Sequence, residues 1–405
     1  MSVYLLATLD TKGAEAQFVK ERLLAHGVPV ILVDTGCLGE PRATPDVPRS
    51  EVFAAAGNSL EAIQARKDRG QAVAAASQGA ARLAAAWHAQ GRLSGILGLG
   101  GSAGTAIATA AMRALPLGIP KLMVSTLASG QVRHYVGDKD ILMLNAVVDL
   151  AGLNRVSRLV LDAAARAMAG MVRLPRASPP SQERPLIAAT MFGVTTPCVD
   201  QARRILEANG YEVLVFHATG NGGQAMESLI EEGLIAGVLD ITTTELADEL
   251  VGGVLSAGPE RLTAAGRKGI PQVISVGALD MVNFHAPETI PERFQGRRFY
   301  RHNPHVTLMR TTVEENAALG AEIGRKAAQA NGPVAILLPK RGVSAIDREG
   351  QPFDDPAARQ ALFDAITAHA GSVEVAALDL HINDPAFAEA AAHKLLALMA
   401  AIGRT

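Results

Sequence analysis

The chain has 405 residues, a formal net charge of −2, and is 48% hydrophobic with only 4% aromatic residues. The near-neutral balance excludes a nucleic-acid polyanion as main partner, and just two cysteines, Cys37 and Cys198, exclude a disulfide framework or a cysteine-built zinc site. The opening Met1-Ser-Val-Tyr-Leu-Leu-Ala-Thr-Leu-Asp10 lacks the basic start of a signal peptide, and no apolar run reads as long enough for a bilayer, so a cytoplasmic protein without a membrane partner is expected.

Strands and helices alternate from the start. Val3–Leu6 reads as a buried strand, Ala14–His26 as a helix with Ala16, Val19 and Leu23 on one stripe, and Val30–Val33 as a second strand. A long Ala-rich helical region covers 60–90. Gly95–Leu99 reads as a strand, Thr105–Ala114 as a helix, Lys121–Ser125 and Ile141–Val148 as strands, and Val156–Met171 as a helix. A polar, Pro- and Ser-rich run over 173–185 reads as a linker. The basic group Arg293-Phe-Gln-Gly-Arg297-Arg298-Phe-Tyr-Arg301 reads as a solvated or substrate-facing loop. Near the end, strand Val334–Leu338, a long loop, helix Pro356–Ala370, strand Val373–Leu378 and helix Pro385–Ile402 follow.

The second half repeats the first. Four matches occur in the same order, among them Leu93-Ser-Gly-Ile-Leu with Ile235-Ala-Gly-Val-Leu, and Gly118-Ile-Pro with Gly269-Ile-Pro. The expectation is an α/β protein of two Rossmann-like parallel-sheet domains related by internal duplication, 1–172 and 186–405.

In open parallel sheets ligands bind beyond the carboxyl ends of the strands, so the residues after each strand carry the information. In the first half these include Asp10-Thr11-Lys12-Gly13, Asp34-Thr35-Gly36 and Gly98-Leu-Gly100-Gly101-Ser102-Ala103-Gly104-Thr105. The glycine loop follows an apolar strand and opens a helix. It can cradle a phosphate with backbone amides, helped by the Ser102 and Thr105 hydroxyls, with Lys12, Arg66, Lys67 and Arg69 as charges. The alternative is that the glycines only permit tight strand–helix packing. The loop is not a Walker motif. Its match to a dinucleotide fingerprint is weak, because it follows a late strand with no acid after the next one.

The strand ends of the second half carry His217, Asp240, Glu245, Asp280, Lys340-Arg341 and His381. His217, Asp240, Glu245, Lys340 and His381 are the candidate catalytic groups, expected to converge on one cleft as acid, base and charge partners for a small-molecule substrate. Read singly, Asp384 suits a helix cap as well as chemistry, and Thr242-Thr-Thr-Glu245 suits a capping box. No zinc-type spacing occurs, and Pro304 between His302 and His305 argues for a loop, so the metal ligands are unknown.

Asp10-Thr11-Lys12, the loop 98–105, Gly118-Ile-Pro-Lys121, Ser125-Thr-Leu-Ala-Ser-Gly130, Ala167-Met-Ala-Gly-Met171 and His217-Ala-Thr-Gly-Asn-Gly-Gly-Gln-Ala-Met-Glu227 together resemble the family of the tomato mosaic virus resistance protein. The likeness covers nearly the whole chain. It implies an ATP-binding first domain, with contacts at Asp10, Thr11, Lys12, Thr35, Arg69, Gly100, Gly101, Ser102, Ala103 and Gly104; Ala103 stands where the family usually has glycine. It supplies no reaction. The expectation is an ATP-dependent enzyme of small-molecule metabolism that uses Mg²⁺ and assembles as a homo-oligomer, a dimer. Two rivals stay open: a nucleotide-responsive binding protein without turnover, and an enzyme on an organic acid or sugar that does not use ATP.

Overall fold

Residues 1–130, 132–175 and 183–402 are described by a computed structural model, in which the chain divides into two units, Met1–Ser178 and Pro179–Thr405. Most of the linker read at 173–185 lies outside the described residues, although Arg173 proves to be the last residue of a helix.

Unit 1 runs β1 (Ser2–Ala7), α1 (Leu9–Ala25), β2 (Val30–Asp34), α2 (Arg49–Ala55), α3 (Leu60–Arg66), α4 (Arg69–Ala89), β3 (Leu93–Gly100), α5 (Ser102–Arg113), β4 (Lys121–Ser125), α6 (Arg133–Val136), β5 (Leu142–Asn145) and α7 (Arg155–Arg173). The strands form one parallel sheet in the order β2-β1-β3-β4-β5. Successive side chains of β1 go to opposite faces. Tyr4 and Leu6 join α4 and α5, where Trp87 stacks on Tyr4 at 4.1 Å, while Val3, Leu5 and Ala7 join α1 and α7. The helical region expected without a break over 60–90 is two helices. Lys67 adopts a left-handed φ of 51° and Asp68 caps α4 by accepting from the Gln71 amide, so a cap residue overrides a run of good helix formers. Within α4, a Cβ on Gly79 would lie 1.9 Å from the Val52 carbonyl oxygen, so this glycine lets α2 and α4 touch backbone to backbone.

Unit 2 runs β6 (Leu186–Met191), α8 (Thr196–Ala208), β7 (Glu212–His217), α9 (Asn221–Glu231), β8 (Ile235–Thr242), α10 (Glu245–Val251), α11 (Ala264–Lys268), β9 (Gln272–Gly277), β10 (Met281–Phe284), β11 (Phe299–Asn303), β12 (Val306–Arg310), α12 (Val313–Ala328), β13 (Val334–Pro339), α13 (Pro356–His369), β14 (Glu374–Leu378) and α14 (Pro385–Ile402). Its parallel sheet has the order β14-β13-β9-β8-β6-β7. Helices α8 and α14 pack on one face; α9 to α13 pack on the other. The three-stranded antiparallel sheet β10-β12-β11 has no counterpart in the sequence expectations, which placed a loop there.

Both units use the strand order second-first-third-fourth-fifth, and unit 2 adds a sixth strand. The likeness reaches single residues. Between β1 and β3 the register shifts just before Gly95, and between β6 and β8 it shifts just before Gly237. A Cβ on Gly95 would lie 3.0 Å from the Met168 sulfur of α7; a Cβ on Gly237 would lie 2.9 Å from the Met399 sulfur of α14. Each unit thus seats a methionine of its last helix over the same glycine.

One sequence expectation is corrected here. Among the described residues one helix, α14, is long and apolar enough by length and composition to cross a membrane. Its Phe387, Ala388, Ala391, Ala392 and Leu395 are buried against α8 and the sheet core, which accounts for the apolar face.

Candidate functional site

The sheet order of unit 1 places β1 between β2 and β3, so the chain leaves β1 and β3 toward opposite faces. Helix α1 packs on one face and α5 on the other, and a crevice opens between their first turns. A cavity of about 100 Å³ lies there, lined among others by Asp10, Thr11, Thr35, Cys37, Arg69 and Ala103. A second cavity of about 360 Å³ shares Cys37, Leu38, Arg69 and Ala72 with it and extends along Ile63, Gln64 and Lys67. Their joint size is in the range of small-ligand sites. The structure therefore brings five of the ten expected nucleotide residues into one cavity. Lys12, Gly100, Gly101, Ser102 and Gly104 do not line it: Lys12 lies in the first turn of α1, Gly100 ends β3, and Gly101, Ser102 and Gly104 open α5.

Each group has a structural reason for its place. Asp34 ends β2, and its Oδ1 accepts from the amides of Leu9 and Gly36 at 3.1 and 2.9 Å. Its Oδ2 pairs with Arg49 at 2.6 Å, so Asp34 ties together the ends of β1 and β2. Asp10 accepts through Oδ2 from the amides of Leu38 and Gly39 and fixes the loop that roofs the crevice. The backbone of Lys12 leaves the helical range (φ −122°, ψ 18°), which sets the first turn of α1 apart from the rest. Neither Lys12 nor Arg69 forms an ion pair among the described residues. Cys37 has its thiol pKa raised, mainly by burial and then by the Asp10 carboxylate.

The glycines of the loop separate into two kinds. Cβ atoms on Gly98, Gly100 and Gly104 would meet Ala108 Cβ at 2.4 Å, Gly104 Cα at 2.7 Å and the Leu99 carbonyl at 3.0 Å, so packing explains them. Gly101 differs: its Cβ would meet only Thr126 Oγ1 at 3.6 Å, and its φ of −82° suits any residue. It is also the N-cap of α5, and no side chain caps that helix. A glycine that neither packing nor dihedral demands, at an uncapped helix start, keeps the backbone amides open to an anion.

In unit 2 the equivalent crevice is filled. Thr190 donates to Asp240 Oδ1 at 2.7 Å, and the Thr195 and Thr242 hydroxyls meet at 2.8 Å. Arg261, fully buried, pairs with both oxygens of Asp240 at 2.6 and 2.7 Å, with Glu245 at 2.7 Å and with Glu227 at 3.3 Å. Burial opposes the guanidinium charge, but Asp240, Glu245 and Glu227 outweigh it and raise the Arg261 pKa well above its ordinary value. Glu245 Oε1 accepts from the amides of Gly220 and Gly223 at 2.7 and 3.0 Å, so a side-chain carboxylate occupies the start of α9. Burial raises the Glu245 pKa, with Arg261 opposing. The glycines of the run 217–227 serve this arrangement: a Cβ on Gly223 would lie 2.2 Å from Glu245, and one on Gly222 1.9 Å from the His217 carbonyl.

The expected catalytic set does not share one cleft. Asp240 and Glu245 are sealed in the Arg261 cluster. His217 is exposed at the end of edge strand β7, its ring 5.4 Å from Phe192. Lys340 and His381 line a separate cavity of about 610 Å³, with Arg341, Arg348 and Arg359, at the ends of β13 and β14 on the opposite side of the sheet. Both His381 nitrogens are engaged: Nε2 with the Ser344 carbonyl at 2.8 Å, and Nδ1 accepting from the Asn383 amide at 3.1 Å. Burial lowers its pKa, so the ring is held neutral without a free nitrogen for base chemistry. Sequence reasoning missed Arg261 and Arg310. Arg261 sits in an irregular loop without a motif, and Arg310 sits in a strand that was not expected. Beside Arg310, burial and the Asp347 charge push Asp280 up to about 7. Among the described residues no group of three His, Cys, Asp or Glu is placed to hold a metal ion.

Two family descriptions match: "Uncharacterised protein family (UPF0261) N-terminal domain" over residues 1–177 and the corresponding C-terminal domain over 184–399. A UPF0261 protein of Clostridium tetani (strain Massachusetts / E88) is 50% identical over 98% of this chain and 98% of its own length. Another, of Rhizobium meliloti (strain 1021), is 50% identical over 96% and 97%. The ToMV resistance protein Tm-1(GCR237) of Solanum lycopersicum is 42% identical over 96% of this chain but 54% of its own length. Among solved structures, a UDP-N-acetylglucosamine 2-epimerase from Rickettsia bellii aligns over 100% of this chain and 98% of its own, at 9% identity and a TM-score of 0.25, too low to carry an argument.

Proposed function

The chain belongs to the UPF0261 family, and from that premise we propose that unit 1 binds ATP at the β1–β3 crevice and that the protein is an ATP-dependent enzyme acting on a small anionic molecule. The observation that carries the nucleotide reading is Gly101: an unforced glycine capping an otherwise uncapped helix, beside a cavity at the switch point of the sheet. The phosphates lie along the first turn of α5, with Lys12 and Arg69 as the balancing charges, and the base extends toward Ile63 and Lys67. Mg²⁺ is bound by few carboxylates and mostly by phosphate oxygens and water. Asp10 suits that role, since its Oδ2 is held by two amides and, among the described residues, its Oδ1 accepts no hydrogen bond.

Transfer of a phosphoryl or adenylyl group relies on positioning and charge more than on a protein nucleophile. That suits a chain whose His381 has no free nitrogen. The proposed substrate region is the cavity at the ends of β13 and β14, where Lys340 and Arg348 form no ion pair among the described residues. Phosphorus NMR of ATP, Mg²⁺ and the full chain with pooled phosphate esters and di- and tricarboxylates tests the enzyme reading. Substrate-dependent loss of the γ- or α-phosphate signal supports it; ATP left intact with every pool refutes turnover.

A further inference from the structure

The excursion between β9 and α12 lines an open pocket of about 500 Å³ that the nucleotide reading does not use. Its walls are Pro287, Ile290, Pro291, Phe294 and Phe299. Its polar groups include Arg301, Thr307 and Glu292. Arg301 and Thr307 are direct cross-strand partners in the β11–β12 register, and Thr307 in turn pairs with Phe284 of β10, so all three sit on one face of the small sheet. Thr307 is only 3% exposed, and its hydroxyl finds no hydrogen-bond partner. Arg301 is exposed and makes no ion pair among the described residues, with Glu292 or any other acid.

A largely apolar open pocket of this size with an unpaired guanidinium and an orphan buried hydroxyl side by side has the composition of a small-molecule site. We infer that it binds a small carboxylic acid with an apolar body. The carboxylate meets Arg301 in a forked pair, and a turn of the Thr307 side chain lets its hydroxyl donate to the same group. The hydrocarbon part lies against Ile290, Phe294 and Phe299. Glu292 on the rim offers a partner to an ammonium group, so the acid is either a simple aryl- or alkylcarboxylate or an apolar amino acid.

Calorimetry on the full chain with 3-phenylpropanoate and with phenylalanine tests this. At least one should bind saturably, and the methyl ester of 3-phenylpropanoate should not. Arg301→Gln should weaken binding about tenfold or more, as expected for a lost charge-assisted pair. Thr307→Val keeps the side-chain shape and should weaken it several-fold, and Ile290→Trp should weaken it strongly by projecting an indole into the pocket. Melting temperature verifies that the variants fold; Arg301 is exposed and unpaired, so its replacement leaves stability unchanged. Preference for phenylalanine assigns the ammonium to Glu292, and preference for the simple acid assigns none. ATP should not compete. No saturable binding of either probe at millimolar concentration, or wild-type affinity in both Arg301→Gln and Ile290→Trp, would overturn the inference.

Discussion

Replacing Gly101 by valine separates a ligand cradle from a packing glycine. The valine Cβ would meet only Thr126 Oγ1, at 3.6 Å, and φ is −82° rather than left-handed, so the first side-chain carbon has room. An N-cap valine is poorer than glycine by up to about 1 kcal/mol, which for a unit of this size lowers the melting temperature by roughly 2–4 °C. The branched side chain would stand in front of the first amides of α5. Losing two hydrogen bonds to a charged phosphate, at about 1.5–3 kcal/mol each, costs on the order of 3–6 kcal/mol, or roughly 10²–10⁴-fold in affinity. Gly100→Ala is the contrast: its Cβ would lie 2.7 Å from the Gly104 backbone, so it should damage the fold itself. Isothermal titration with ATP and Mg²⁺, paired with thermal melts, reads both quantities. A Gly101→Val protein that melts near wild type and binds ATP with wild-type affinity would refute the reasoning.

Arg261→Met should destabilise by about 3–5 kcal/mol or prevent folding, because Asp240, Glu245 and Glu227 would be left facing one another without their cation; chemical denaturation measures it, and a loss below 1 kcal/mol on that scale would show that the cluster is not structural. Burial and the neighbouring Asp347 charge push Asp280 up to about 7 from an ordinary 3.8, so the folded state holds a proton that the unfolded state has lost between those values. Stability should therefore fall as pH rises from about 4 to 7, and Asp280→Asn, which keeps a partner for Ser344, should flatten that slope in denaturation curves taken across the window. His381 works in the opposite sense: its depressed folded pKa means stability is lost as pH falls through the ordinary histidine range, and its NMR titration should lie below 6.5.

Much of the fold was legible because buried parallel strands read as apolar runs closed by glycine or charge. The expected strand Lys121–Ser125 and helix Pro385–Ile402 are found at those bounds. The repeat was legible in Leu93-Ser-Gly and Ile235-Ala-Gly, because the register shift and the methionine seat require that glycine in both units. The break at Lys67 was not legible, since a cap aspartate inside good helix formers has no distinct periodicity. The antiparallel strands β10–β12 were lost because their charged edge, Phe299–Asn303, reads as a solvated loop. In the site, position after a strand picked out Asp10, Thr35 and Ala103, which line one cavity, whereas Arg69 at the start of α4 came only from its basic cluster and the family likeness; in unit 2 the same rule overcounted. Asp240 and Glu245 follow a strand because they must meet Arg261, and sequence position alone carries no sign of that distant partner.

The most direct test of the central claim is a crystal structure of the full chain with Mg²⁺ and a non-hydrolysable ATP analogue. The account predicts phosphate oxygens at about 3 Å from the amides that open α5, with Arg69 and Lys12 turned toward them. Nucleotide density in unit 2, or anywhere other than the crevice between β1 and β3, would contradict it.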